Sequence, residues 1–233
     1  MKRYFIITGS SRGIGEALTR KLLLPDHHLF CVSRQLNPDL VAMAESNNVP
    51  LDYFEFDLNN VHGIDELMRT IFGRMSESMI QSIYLINNAA IVKPVEFVNQ
   101  IDADEIIRHM NINLIAPMLL SSSFMKYSKH LNVDKRIMNI SSGLSFNLKA
   151  RLNCYSTSKA GLETFTKSVG VEQHDVKVMA VRPGAVGTQM YEESVITDEH
   201  AGNVRLATPS YAADRILTFL FDRFEHGKVV KGW

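Results

Sequence analysis

Short apolar runs and helix-period segments alternate along the whole chain, the pattern expected when helices cross over to connect parallel strands. Arg3 to Thr8, Leu29 to Ser33, Leu51 to Asp57, Ile83 to Asn87, Arg136 to Ile140 and Val176 to Val181 read as strands, with Lys228 to Val230 as a further edge strand. Between them Gly13 to Leu24, Leu36 to Ser46, Ile64 to Met75, Asp104 to Tyr127, Tyr155 to Val171 and Tyr211 to Phe224 read as helices. Pro25-Asp26 stops the first helix. The prediction is one α/β domain over residues 1–233, a Rossmann-type doubly wound parallel sheet of about seven strands with helices on both faces. The least regular stretch, Gln189 to Thr208, is the expected substrate lid.

Composition narrows the function classes. Lys plus Arg number 25 and so do Asp plus Glu, so no overall field favours nucleic acid or an anionic membrane. No apolar stretch approaches the roughly 20 residues that span a bilayer, and Met1-Lys2-Arg3 with its short apolar run lacks signal-peptide form. A cytoplasmic protein is expected. The 2 cysteines, Cys31 and Cys154, support neither a disulfide framework nor metal ligation. Cys31 reads as a buried strand residue and Cys154 as a neighbour of Tyr155 that could touch substrate.

The candidate residues fall just after predicted strands, on the edge where doubly wound sheets bind ligands. Thr8-Gly9-Ser10-Ser11-Arg12-Gly13-Ile14-Gly15 joins the first strand to the first helix. Gly9 permits the tight turn, Gly13 lets backbone approach a pyrophosphate and Gly15 lets the helix pack on the sheet. A plain strand-to-helix turn is the alternative. Ser33-Arg34 follows the second strand where NAD-binding chains commonly carry an acid. Arg34 and Arg12 could instead hold a 2′-phosphate, favouring NADP, unless both are merely solvated. Asp57-Leu58 could meet the adenine amino group or cap a turn. Asn87-Asn88-Ala89-Ala90 suits close approach to a ribose, or a turn.

Tyr155 and Lys159 lie one helical turn apart and can address the same volume, where a cation would lower the phenol pKa. An ordinary helix-face contact is the alternative. Ser142, directly after a strand, can hydrogen-bond a substrate carbonyl or cap a turn. Asn113 sits inside a long helix, and Pro117 removes the donor its backbone carbonyl would accept, so that carbonyl could hold a water or simply mark a kink.

Together Thr8-Gly9, Gly13, Gly15, Asp57, Asn87-Asn88-Ala89, Asn113, Ser142, Tyr155, Lys159 and Pro183-Gly184 with Thr188 resemble the short-chain dehydrogenase/reductase family over nearly the whole chain. Ala90 departs from it, since the family usually has glycine there. Leu85 to Ala89, Ile112 to Met118 and Val133 to Gly143 are similar to its sepiapterin reductase-like branch, bacterial benzil reductases in particular. The resemblance implies that Asn113, Ser142, Tyr155 and Lys159 form the catalytic tetrad and that Pro183, Gly184, Val186 and Thr188 hold the nicotinamide. It implies NADP(H) as cofactor, reduction of a small ketone or vicinal diketone, no metal, and a homodimer or homotetramer joined through the helices of Asn113 and Tyr155. A reductase of carrier-bound 3-oxoacyl chains and a non-catalytic NADP sensor are the alternative functions.

Overall fold

A computed structural model describes residues 1–195 and 205–232. Seven parallel strands form one sheet in the order β3-β2-β1-β4-β5-β6-β7. They are β1 (Lys2–Thr8), β2 (His27–Ser33), β3 (Leu51–Glu55), β4 (Ile80–Asn87), β5 (Asp134–Ile140), β6 (Lys177–Arg182) and β7 (Val229–Lys231). The helices are α1 (Gly13–Leu22), α2 (Pro38–Ser46), α3 (Ile64–Gly73), α4 (Ala103–Met110), α5 (Ala116–Ser128), α6 (Asn153–Glu172), α7 (Gln189–Val195) and α8 (Pro209–Phe221). No described helix is long and apolar enough to cross a membrane.

The two-residue period of the strands divides the core between two faces. From β1, Tyr4 and Ile6 join Phe30, Ile83, Leu85, Met68 and Phe124 under α3 and α5. Phe5 and Ile7 point the other way, to Leu18, Leu22, Met138, Met179, Ile216 and Leu220 under α1 and α8. Removing one fully buried aromatic such as Phe124 would cost about 3–5 kcal/mol.

Local signals set the helix starts. Asn37 accepts hydrogen bonds from Asp39 N (3.0 Å) and Leu40 N (3.3 Å), and Pro38 opens α2. Thr208 caps α8 in the same way, accepting from Tyr211 N at 3.1 Å ahead of Pro209.

The long helix expected over Asp104 to Tyr127 is interrupted. Asn111–Ile115 is a π turn between α4 and α5, with Ala116 N–H donating to the Asn111 carbonyl. Pro117, lacking an N–H, cannot continue the regular ladder, and the wider turn absorbs the mismatch. Part of the expected lid, 196–204, lies outside the described residues. Of the remainder, Gln189–Val195 is the helix α7, and Ala207 forms a parallel bridge to Val186.

The chain goes from β1 outward to β2 and β3, then returns to the other side of β1 as β4. Connections leaving β1 and β4 therefore diverge, opening a crevice at their carboxyl ends.

Candidate active site

A cleft of about 1300 Å³ fills that crevice. The expected site residues line it except Thr8, Ser10 and Gly15 of the glycine turn, Asn87 and Asn113. Gly9 and Gly13 have φ of +67° and +60°, left-handed backbone that side chains resist. A Cβ on Gly15 would lie 2.0 Å from the Gly9 carbonyl oxygen, so α1 can sit this close to the turn only with glycine there. Asn88 locks the turn from β4, donating through Nδ2 to Thr8 O (3.0 Å) and Gly9 O (3.2 Å). The Thr8 hydroxyl accepts from the Asn88 and Ala89 amides. The Asn88 side chain is thus occupied by the glycine turn, and it is the Ala89 backbone that approaches Gly9.

This end of the cleft fits a dinucleotide. Gly13 opens α1 beside Thr188, which a Cβ there would approach to 3.3 Å, and the unpaired amides of a helix N-terminus favour a phosphate. Arg12 and Arg34 are the cationic side chains of the cleft at the β2 end. Arg12 Nη1 donates to Gln189 Oε1 at the start of α7. The Asp57 carboxylate accepts from Asn59 N at 3.0 Å, the turn-capping use. Ser33 Oγ donates to Gln35 O at 2.8 Å, bending the chain after β2.

At the opposite end three expected groups meet. Ser142 follows β5, caps the short turn Gly143–Ser145 and hydrogen-bonds the Tyr155 hydroxyl. Lys159 Nζ lies 5.7 Å from the centre of the Tyr155 ring and donates to Ile140 O at 2.8 Å. Burial pushes the Tyr155 phenol above its usual pKa, and the Ser142 hydrogen bond pulls the other way. Burial lowers Lys159 to about 8 against the attraction of Glu163. The downward pull on Tyr155 expected from Lys159 is not what governs it: that ammonium is engaged by a carbonyl, and desolvation dominates the phenol.

Asn113 stands behind these groups with no exposed surface. Its carboxamide donates to Ile91 O (2.7 Å) and accepts from Ile91 N (2.9 Å), clamping the segment that leaves β4. The second Nδ2 hydrogen faces His109 Nε2 at 2.9 Å, so that nitrogen accepts, and Nδ1–H of His109 donates to Lys93 O at 2.7 Å. Burial lowers the His109 pKa, in keeping with a neutral ring.

Residues beyond the expected set complete the site. Val92, Leu144, Leu152 and Met190 pack around Tyr155 as an apolar wall. Phe146 is 57% exposed at the mouth, with the Arg182 guanidinium 4.4 Å from its ring centre. Glu163 and Arg182 form an ion pair at 2.6 Å behind it. The one sequence hint of Glu163 is its place one turn beyond Lys159. Cys154 is buried, does not line the cleft, and burial raises its thiol pKa. Among the described residues no group of three or more His, Cys, Asp or Glu could hold a metal.

Comparisons with known proteins agree with this architecture. The benzil reductase ((S)-benzoin forming) of Bacillus cereus is 36% identical, covering 98% of each chain. Sepiapterin reductase of Xenopus tropicalis is 27% identical over 97% of this chain and 85% of its own. Among solved structures, a 3-oxoacyl-[acyl-carrier protein] reductase from Brucella melitensis in complex with NAD superposes with a TM-score of 0.85. It is 20% identical and covers 100% of this chain and 96% of its own. An alcohol dehydrogenase from the archaeon Thermococcus sibiricus, complexed with 5-hydroxy-NADP, gives 0.79 at 18% identity, over 99% and 96%. The short chain dehydrogenase profile matches residues 3–199, and with the full-length likeness to the Bacillus cereus reductase it makes this chain a member of the short-chain dehydrogenase family.

Proposed function

We propose that the protein is an NADPH-dependent carbonyl reductase acting on aromatic ketones or vicinal diketones. The observation that carries this reading is the buried Tyr155 hydroxyl, bonded to Ser142 and one helical turn from Lys159, at the inner end of a cleft whose other end is the glycine turn. The glycine turn, with Arg12 and Arg34 at one end of the cleft and Pro183 to Thr188 at the other, would hold NADPH, which when bound would supply the hydride.

The substrate carbonyl oxygen is held by the Ser142 hydroxyl, which stabilises the charge that grows there as the carbon is reduced. Tyr155 gives its proton to that oxygen. A phenol held above its ordinary pKa is protonated at neutral pH, the state a donor needs. Lys159 lies beside it to stabilise the phenolate left behind. Asn113 holds the Ile91 backbone, and with it the wall that includes Val92. Val92, Leu144, Leu152 and Met190 favour flat apolar substituents over hydrated ones, which together with the benzil reductase likeness supports aromatic substrates.

Absorbance of NADPH with benzil, sepiapterin and simple diketones tests the reading, with NADH alongside. Tyr155→Phe should lower turnover by about 100-fold or more while leaving NADPH affinity nearly unchanged. Equal turnover in variant and parent would remove Tyr155 from the reaction. Exposed Ile115 at the end of the π turn and Met118 and Leu119 on α5 support self-association through that segment, and a monomeric mass by light scattering would refute it.

A further inference from the structure

We propose that Glu163 is a positioning residue for this site: its carboxylate, braced by Arg182, fixes the turn that carries Ser142 and places a counter-charge one helical turn from Lys159. The catalytic consequence rests on the reductase reading above, whereas the arrangement itself does not.

Glu163 is 5% exposed and ties three elements together. Oε1 accepts from Ser141 Oγ (2.6 Å), Ser145 Oγ (2.7 Å) and Arg182 Nε (2.7 Å), and Oε2 accepts from Arg182 Nη2 (2.6 Å). Ser141 lies just past the end of β5, Ser145 ends the following short turn, and Arg182 ends β6 immediately before Pro183. Ser142 therefore stands between two residues anchored to one carboxylate. The backbone that carries Ser142 cannot shift away from Tyr155 without breaking charge-assisted bonds. The same carboxylate orients the Arg182 guanidinium under Phe146, linking the oxygen-binding turn to the mouth of the cleft.

Stability alone is a weak reason for this cluster, because buried ion pairs can often be replaced by apolar residues without loss. Electrostatics supplies a better one. Burial pushes the Glu163 carboxyl up, yet the bonds from Arg182, Ser141 and Ser145 together outweigh it and hold the group below the usual range, so it is ionised. Tyr155, Lys159 and Glu163 follow one another at single-turn spacing along one face of α6. The groups facing Lys159 are Tyr155 and Glu163 from α6, neutral His109 from α4 and the Ile140 carbonyl at the end of β5, with Arg182 of β6 beyond Glu163. Lys231, paired in register with Arg182 on β7, is exposed. Of these, Glu163 is the charge that supports the Lys159 ammonium against burial.

The test reads Lys159 directly. In protein carrying 13C-labelled lysine, the resonance lost in Lys159→Met reports its titration without any need for turnover. Glu163→Gln should lower the midpoint by ~1 pH unit, through loss of the attraction and exposure to the unpaired guanidinium. Arg182→Gln should raise it by a similar amount, since it leaves the carboxylate unpaired. Loosening that merely admitted water would raise the midpoint in both variants. That result, or no movement in either, overturns the proposal. Should Glu163→Gln fail to fold, the double variant Glu163→Gln/Arg182→Gln decides: its midpoint falls if Glu163 acts as described, and an unchanged or raised midpoint overturns it. With a turned-over dicarbonyl, the alkaline limb of the reduction profile should move with the Lys159 midpoint. If no carbonyl compound consumes NADPH with the parent protein, the reductase reading fails while the midpoints still judge Glu163.

Discussion

Lys159→Met should stabilise the cofactor-free protein at neutral pH even though it removes a group the proposed reaction needs. Burial takes the Lys159 ammonium from its ordinary 10.5 to about 8. At about 1.4 kcal/mol per pH unit, that gap corresponds to a cost of about 3 kcal/mol for holding the charge inside the folded protein. Below pH 8 the side chain is protonated both folded and unfolded, so the full cost is present. Between about 8 and 10.5 the folded form sheds the proton while the unfolded chain keeps it, and the parent gains stability as pH rises. Methionine fills the space with no charge but loses the 2.8 Å bond to Ile140 O, worth about 1 kcal/mol. The variant should thus be about 2 kcal/mol more stable than the parent at pH 7, with the advantage shrinking and then reversing on the way to pH 10.5. Urea unfolding of both proteins, followed by far-UV circular dichroism from pH 7 to 10 without cofactor, measures the difference. A variant less stable at pH 7, by a margin that does not move with pH, would refute the reasoning.

Two further substitutions probe the nucleotide end. Gly15→Ala sets a methyl group 2.0 Å from the Gly9 carbonyl oxygen, so α1 must lift from the turn. The expected loss is about 2–3 kcal/mol of stability together with NADPH binding, and an unchanged melting temperature would contradict the packing described. Arg34→Glu places a carboxylate where a 2′-phosphate is proposed to lie. NADPH affinity should fall by about 10–100-fold with little change for NADH, and equal losses for the two in fluorescence titrations would argue against Arg34 as the discriminating contact.

The parts of this molecule legible in its sequence are those whose physics is local. Runs such as Phe5-Ile6-Ile7 alternate sides and declare a strand buried on both faces, and glycines after a strand declare a tight turn. The π turn was not legible, because the helical period of apolar residues continues through Asn111–Ile115 and only Pro117 hints at a break. Seven residues of the stretch read as irregular form α7, where Thr188 Oγ1 accepts from Tyr191 N. Asp57 shows the limit of residue type, since the same carboxylate suits an adenine or a turn, and here it accepts from Asn59 N. Glu163 and Arg182 lie 19 residues apart and look like ordinary surface charges until the chain folds. The pKa of Tyr155 was out of reach for the same reason: desolvation depends on what packs around the phenol.

The widened turn between α4 and α5 sets the phase of the helices on either side of it. It amounts to a single-residue insertion accommodated without breaking the rod, and each residue of a helix advances its faces by about 100°. Leu120 and Phe124 meet the sheet because that extra step precedes them, while His109, before it, faces Asn113 and Ser158. A lineage that deleted one residue from 111–115 would rotate either the sheet-covering segment or the site-facing segment out of phase. Removal of the bulge would therefore also break the clamp on Ile91.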